Sequence, residues 1–453
     1  AEAVVIGGGV VGSSVAYFLA RAGKDVVLIE KGCKAGEASA ANAAFVWSIT
    51  RKAGMDIRLA MHSFNIHRQL KAEFEMDFEY VQGGGLMIIE DETQLPYVEA
   101  HLQKRSEDGY PLEMIDAKQV LELEPHLSKE RVFGAVYSPI DGKTNPIFLV
   151  IALNLEAQKL GAQLFHYTEV QGIEVAAGKV KGVVTDKGTI KTNTVVNAAG
   201  SWGCFIGDMV GIKVPVSPFQ LAMLVTEQLP PTISHVIMGA SYMVEEDTGK
   251  EGGLGCGLVM IQQTAGNLLI GASWRKTGYD KRTIQEEIEL MAKVNVRAMP
   301  MLKTVRIIRS YANFFPHTAD DLPILGKVDG VEGFIMACGH GGHGIGLGPG
   351  SGKLIQELIC DDKTTIPLEH FVNLTSRTFY AMISLPLERK VNFAIRSDRF
   401  DITIHQITNH ELLKDLIVIE HPLILLIDNG FKSQRGALIY QQADMLSLRK
   451  ILS

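Results

Sequence analysis

The chain opens on two kinds of apolar run set side by side. Val4, Val5 and Ile6 form a short β-branched stretch that stops at Gly7, Gly8 and Gly9; the segment from Val10 to Ala22 then has helical composition, with Gly23 as its stop. A second β-branched run, Val26 to Ile29, is closed by Glu30. The pattern predicts strand, tight turn, helix, strand. Helical composition returns over 51–75, 117–125 and 147–161, and Arg58, His62 and His67 in the first of these read as a packed or solvated helix face. Tyr80 to Glu90 reads as a turn into a strand, and turn chemistry stands at Asp141-Gly142 and Asn145-Pro146.

Strand-like runs near 163–167, 171–175 and 180–185 predict a small antiparallel meander, and Thr194 to Asn197 reads as a buried strand that ends in Ala-Ala-Gly. From Pro215 to about Arg309 the runs FQLAMLVTE, GLVMIQQ and NLLIGAS alternate with turn residues. That predicts a mixed or antiparallel sheet, with one helical interruption from Lys281 to Met291. Residues 309–358 read as a strand, a proline-bearing loop, a hairpin and a strand ending at Ala337, after which a glycine-saturated loop opens a helix at about Pro349. Beyond 380 come strand-like runs such as 416–428 and a helical close from Gln441 to Leu452.

Composition narrows the class. A chain of 453 residues exceeds what one core usually serves, so two or three substructures are expected. Net charge is −7 and lysine and arginine form no block, which argues against a nucleic-acid partner. The five cysteines stand singly, without a C-x-x-C pair, so neither zinc nor an iron–sulfur cluster is expected. Such usage suits a reducing cytoplasm, with a peripheral place at the inner face of a membrane as the other reading. No apolar run reaches the roughly 18 residues of a membrane span, and a strand that begins at once leaves no room for a signal peptide.

Gly7, Gly9 and Gly12 spell G-x-G-x-x-G, with Val10 and Val11 between the last two. The first glycine allows a tight turn, the second lets backbone approach a pyrophosphate, and the third lets helix and strand pack closely. Phosphates then meet the unpaired amides and positive dipole end of the helix. Glu30, at the end of the second strand, can accept from both ribose hydroxyls and would repel a 2′-phosphate. A glycine cluster alone often marks an ordinary turn; the flanking strands, helix and acid agree here on a dinucleotide, either NAD or FAD.

After Glu30 a run of small residues, Ala35 to Ala44, holds Ser39 and Asn42. With this segment and the closing Gly339-His340-glycine-Pro-x-x-Gly-Lys-Leu stretch, the chain resembles the FAD-dependent oxidoreductases of amines and D-amino acids: glycine oxidase, sarcosine oxidase, D-amino-acid dehydrogenases and the flavin subunits of proline- and hydroxyproline-type dehydrogenases. The resemblance runs to about Phe379. It implies an α/β fold with a discontinuous Rossmann-like FAD-binding domain (1–80, 141–214 and 318–379), a mixed or antiparallel-sheet substrate domain (81–140 and 215–317), and a C-terminal extension of unknown role (380–453). It also implies noncovalent FAD, because Cys338 does not match the attachment position. Carried over with it as cofactor contacts are Lys31, Ser39, Asn42, Ala43, the backbone at Val170, Ala198, Gly200, Gly339, Gly344, Ile345, Gly346, Gly348 and Lys353.

The implied chemistry is hydride removal from the carbon beside a substrate nitrogen to flavin N5, giving an imine that water hydrolyses. His340, His343, Tyr242 and Gln262 are the candidate catalytic residues, with Gln263 and Trp274 as further pocket candidates; no metal is expected. Phe315 stands where the family's carboxylate-binding arginine belongs, and Arg275, Arg306 and Arg309 are possible substitutes. Gln262 or Gln263 in place of a lysine points to a dehydrogenase rather than an oxidase. The expected partners are a small amine or amino-acid substrate, an electron acceptor or partner subunit, and further copies of the chain. An FAD-dependent 2-hydroxy-acid dehydrogenase and a nonenzymatic flavin-carrying subunit are the alternatives.

Overall fold

The computed structural model describes residues 1–106, 109–110, 112–243 and 253–372, and beyond them three strands within 392–428. Two compact units divide the chain at Asn373 and Leu374.

The first unit is built on two large sheets. Ala3–Ile6 lies at the centre of a six-stranded sheet whose order is Ile324–Lys327, Phe334–Cys338, Val195–Asn197, Ala3–Ile6, Val26–Ile29 and Gln163–Phe165. Its inner pairings are parallel and only the Ile324–Lys327 edge runs antiparallel. Both faces are covered, which is why its strands read as unbroken apolar runs. Helix Val10–Arg21 is buried along almost its whole length, packed between Pro146–Lys159 and Gly344–Cys360. The close approach of the latter is made by Gly348 and Gly352, one turn apart: a Cβ on Gly352 would lie 2.5 Å from the Ser14 side chain.

Several expectations are corrected. The run at 163–167 forms the parallel edge strand Gln163–Phe165 of this sheet, and the meander is Val170–Ala176, Lys179–Thr185 and Gly188–Lys191. A three-residue strand carries too little pattern to show which sheet it joins. Asn145-Pro146 is a helix start rather than a turn: Asn145 Oδ1 accepts from Phe148 N–H and Pro146 sits at the first helical position. The helix expected from about Pro349 opens at Gly344, with Pro349 inside it.

The second sheet has eight strands, in the order Ile307–His317, Ser217–Gln228, Asn267–Arg275, Gly255–Gln262, Val236–Gly239, Gly85–Ile89, Gly134–Ser138 and Glu113–Asp116. All neighbours are antiparallel except Val236–Gly239 with Gly85–Ile89. Strand alternation sorts its side chains. Ala222, Leu224, Leu258, Met260, Leu268 and Ile270 form one core with Met291 and Ala298 of helix Gln285–Ala298, each large side chain stabilising by about 2 kcal/mol. That helix lies C-terminal to the 281–291 expectation, because Asp280–Ile284 is spent on a turn and the helix entry. Met223, Val259 and Ala272 form a separate cluster with Leu221, Tyr242, Tyr311, Ala43 and Phe45. The cluster joins this sheet to the segment after Glu30.

The second unit contributes a three-stranded antiparallel sheet, Phe400–Ile404, Asn392–Ser397 and Ile424–Asp428. The helix expected over 441–452 lies outside the described residues.

Candidate functional site

The opening motif folds as its glycines require. Gly7 has φ +112°, and a Cβ on it would meet the Ala198 carbonyl oxygen at 2.4 Å; a Cβ on Gly12 would meet the Gly7 oxygen at 1.9 Å. Both glycines therefore serve the protein's own packing. Gly9 differs, since the nearest atom to its Cβ position is Ser39 Oγ at 3.1 Å and the space is otherwise open. Val10 N–H donates to Ser39 Oγ at 3.0 Å, while among the described residues no acceptor outside the helix meets the amides of Val11 and Gly12. Orphan amides at a helix start beside an open glycine face are the donors a pyrophosphate uses.

Glu30 stands at the end of its strand with Oε2 accepting from Gly8 N–H (2.7 Å) and Oε1 from Gly32 N–H (2.6 Å). The turn 167–170 runs alongside, through Thr168 N–H to the Glu30 carbonyl (3.0 Å) and Lys31 Nζ to Glu169 Oε1 (2.6 Å). Lys31, Glu30 and Val170 thus share one end of the site. Ala198 N–H donates to the Ile6 carbonyl, and Gly200, at φ +53°, follows it beside Gly7.

Ser39, Asn42 and Ala43 come to the middle. Asn42 Nδ2 donates to the Ala38 and Ser39 carbonyls and its Oδ1 accepts from Ala44 N–H, so the side chain shapes the segment. Its carbonyl accepts from Tyr311 Oη–H at 2.9 Å. Behind it, loop 48–51 is gripped from two sides. The Asp141 carboxylate accepts from Ser48 N–H (2.9 Å) and Ser138 Oγ–H (2.9 Å), and burial pushes it up to about 6. Arg105 Nη1 donates to the carbonyls of Ser48 (2.8 Å) and Arg51 (2.7 Å).

At the closing end, Gly339, Gly344, Ile345 and Gly346 line the turn into Gly344–Cys360, with a Cβ on Gly346 reaching Val46 and Trp47 at 3.6 Å. The N-termini of Val10–Arg21 and Gly344–Cys360 lie close together, a Cβ on Gly348 meeting the Val10 side chain at 3.1 Å, and both helix dipoles favour negative charge at those ends.

A match to the family model for FAD-dependent oxidoreductases (DAO) spans residues 2–358. The chain belongs to that family. Hydrogen cyanide synthase subunit HcnC of Pseudomonas protegens is 28% identical over 414 residues, covering 82% of this chain and 95% of that protein. Glycine oxidase of Geobacillus kaustophilus is 26% identical, covering 82% and 96%. Among solved structures, L-proline dehydrogenase from P. horikoshii superposes with a TM-score of 0.74 at 28% identity, covering 82% of this chain and 96% of that one. As in the family, FAD is the cofactor, and the open Gly9 face, the orphan amides and the presented Glu30 carboxylate fit it.

The catalytic candidates separate. His340 is buried and its Nε2 lies 2.9 Å from Ser351 Oγ; burial lowers it to about 3. His343, half-buried, is held well below the ordinary imidazole value by burial and by the charges of Arg51 and Lys52. Tyr242, in the sheet cluster, lies with its ring tilted against Trp274 at 4.8 Å, in space kept by Gly257, whose Cβ would lie 2.5 Å from the Tyr242 ring. Gln262 is a framework residue: Oε1 accepts from Thr232 and Ile233 N–H, and Nε2 donates to the Leu229, Pro230 and Gly266 carbonyls. Its amide has nothing left for a substrate. Gln263 lies in the hairpin turn to Asn267. Lys353, also carried over, has its ammonium on Gln356 Oε1 at 2.6 Å and facing Glu357.

Phe315 lies in the row Tyr311, Asn313, Phe315 and His317 on the face that carries Tyr311, opposite Phe219. The proposed substitutes do not reach it. Arg306 and Arg309 are exposed, and Arg275 is tied to the buried Glu287 carboxylate at 2.7 Å. Sequence reasoning missed Arg51. Its side chain is 4% exposed, Nη1 reaches Asp56 Oδ1 at a long 3.3 Å, and Nε is buried without a partner. Lys52 beside it donates to the Asp320 carbonyl at 3.2 Å, drawing the loop after Phe315 toward the same place. Only the burial of an arginine in a run of small residues could have flagged it.

Proposed function

We propose that the chain is an FAD-dependent dehydrogenase that oxidises the C–N bond of a small acid-bearing amine, an amino acid or cyclic imino acid. The observation that supports this reading is the placement of the two histidines: His340 is buried with its Nε2 on Ser351 Oγ, and His343, half-buried, has its imidazole lowered by burial and by the charges of Arg51 and Lys52. Oxidising an alcohol needs a group to take the hydroxyl proton, whereas the lone pair of a neutral amine drives hydride departure unaided. Bound FAD would supply the hydride acceptor. The residues present hold the substrate against it: Tyr242, Tyr311 and Met223 exclude water from an apolar face, and Arg51, with Lys52 behind it, offers positive charge to the acid group. The same charges favour the neutral amine.

By the resemblance, Gln262 or Gln263 stands on the strand where an oxygen-using relative would place a lysine. The lysine that reaches that strand, Lys143, donates to the Gln262 carbonyl from a neighbouring strand, and burial lowers its pKa. Electrons accordingly pass to an acceptor other than oxygen, in keeping with a relative that is a subunit of hydrogen cyanide synthase.

Anaerobic mixing with proline, hydroxyproline, sarcosine, glycine and D-amino acids should bleach the flavin band for at least one of them, and reoxidation by a quinone or dye should outpace that by oxygen. Bleaching by a 2-hydroxy acid and by no amine would overturn the reading; the same substrate turned over fastest with oxygen would make the protein an oxidase.

A further inference from the structure

Helix Gly344–Cys360 carries Pro349 near its start. Proline has no N–H, so the carbonyl of Ile345, four residues earlier, loses its donor within the helix. The next amide, Gly350 N–H, donates to Ser63 Oγ at 2.9 Å. Into this gap comes His67, with Nε2 3.0 Å from the Ile345 oxygen and the Gly346 carbonyl beside it. Ser63 and His67 lie four residues apart on helix Met55–Glu73, so one face of that helix presents both, and both are fully buried.

The ring state follows from its partner. A carbonyl only accepts, so Nε2 carries the proton and Nδ1, which is buried without a partner, is bare. Burial lowers the His67 imidazole to about 4 and keeps it in this neutral form. Tyr80, stacked on the ring at 5.3 Å, fixes its plane. On the other side His340 Nε2 meets Ser351 Oγ at 2.9 Å, tying the preceding loop to the same helix.

We propose that Ser63 and His67 are positioning residues for the flavin: His67 supplies the hydrogen bond that Pro349 cannot give the Ile345 carbonyl, Ser63 holds the adjacent Gly350 amide, and together they aim the first turn of this helix at the cofactor. This rests on the flavin edge meeting that turn. Amides held in one direction stabilise negative charge on the reduced ring without reorganising.

The test uses the full chain with His67→Leu, His67→Gln, Ser63→Ala, Pro349→Ala and the double variant His67→Leu/Pro349→Ala. The measurements are the FAD dissociation constant, the flavin midpoint potential and the thermal unfolding of the FAD-free protein. His67→Leu should weaken FAD binding about tenfold and move the potential to a more negative value. His67→Gln, which keeps an N–H donor, should retain most of both. Pro349→Ala in the His67→Leu background should recover both, because the restored N–H meets the Ile345 carbonyl. Should His67→Leu not fold, Ser63→Ala gives the same readings with a smaller shift. Lowered thermal stability with unchanged affinity and potential, or no recovery on restoring the N–H, would overturn the proposal. Wild-type protein that takes up no FAD would overturn the flavin site itself.

Discussion

Tyr311 Oη–H donates to the Asn42 carbonyl at 2.9 Å, and this bond ties the eight-stranded sheet to the segment that follows Glu30. Tyr311 is partly buried and its hydroxyl is held protonated, burial raising its pKa. Tyr311→Phe removes the donor without changing the ring. Stability should fall by about 1–2 kcal/mol in chemical denaturation, and the flavin spectrum of the bound enzyme should shift as the segment relaxes.

Gly12 and Gly9 answer to different partners. Gly12→Ala drives a Cβ into the Gly7 carbonyl at 1.9 Å, so the FAD-free protein itself should lose about 2–3 kcal/mol. Gly9→Ala meets only Ser39 Oγ, at 3.1 Å, so the fold should be kept while FAD affinity falls tenfold or more. Thermal unfolding of the apoprotein and the ratio of flavin to protein absorbance separate the two. Equal loss of apoprotein stability in both would contradict the assignment of Gly9 to the cofactor.

Arg51→Lys keeps the charge beside Asp56 and loses the planar fork. The KM for an acid-bearing amine should rise at least tenfold, with little change for an amine that lacks the acid and none in FAD content. Steady-state kinetics on the two substrates decide it. Arg51→Met is a poorer test, because it strands the buried Asp56 carboxylate at a cost of about 3 kcal/mol.

His340 gives a pH dependence with a definite sign. Its folded value, about 3, lies below the unfolded value near 6.5, so below pH 6.5 the unfolded chain binds a proton that the folded one refuses. Its contribution is present above that value and is lost as pH falls toward 3. Asp141, raised to about 6, acts in the opposite sense between pH 6 and 4, so the whole-protein curve is blunted. Comparison with His340→Gln isolates the histidine. The stability advantage of wild type should shrink by about 2 kcal/mol between pH 8 and pH 4.5. A pH-independent difference would mean that the imidazole titrates normally.

Much of the dinucleotide end was legible because its constraints are local. Gly7, Gly9, Gly12 and Glu30 sit within one strand–helix–strand unit, and their spacing alone fixes where amides and acid must fall. The apolar runs likewise marked Val26–Ile29, Ser217–Gln228 and Asn267–Arg275. Where pattern was short the reading slipped, as at Gln163–Phe165, because three residues cannot state which sheet they join. Gln262 was misjudged for another reason: an amide on a strand looks the same whether it faces a substrate or caps the loop at Thr232 and Ile233.

The amino-acid sequence by itself determined the α/β class and a dinucleotide site at its start, since these rest on backbone geometry that near neighbours dictate, and the resemblance of its later glycine segments pointed to FAD. Only the tertiary structure decided which charged and polar groups meet. Arg51 reaches the vicinity of His343 across nearly three hundred residues, and His67 finds the carbonyl that Pro349 leaves bare, 278 positions away. Such pairings depend on how separate elements pack, and burial then sets the protonation that the chemistry requires.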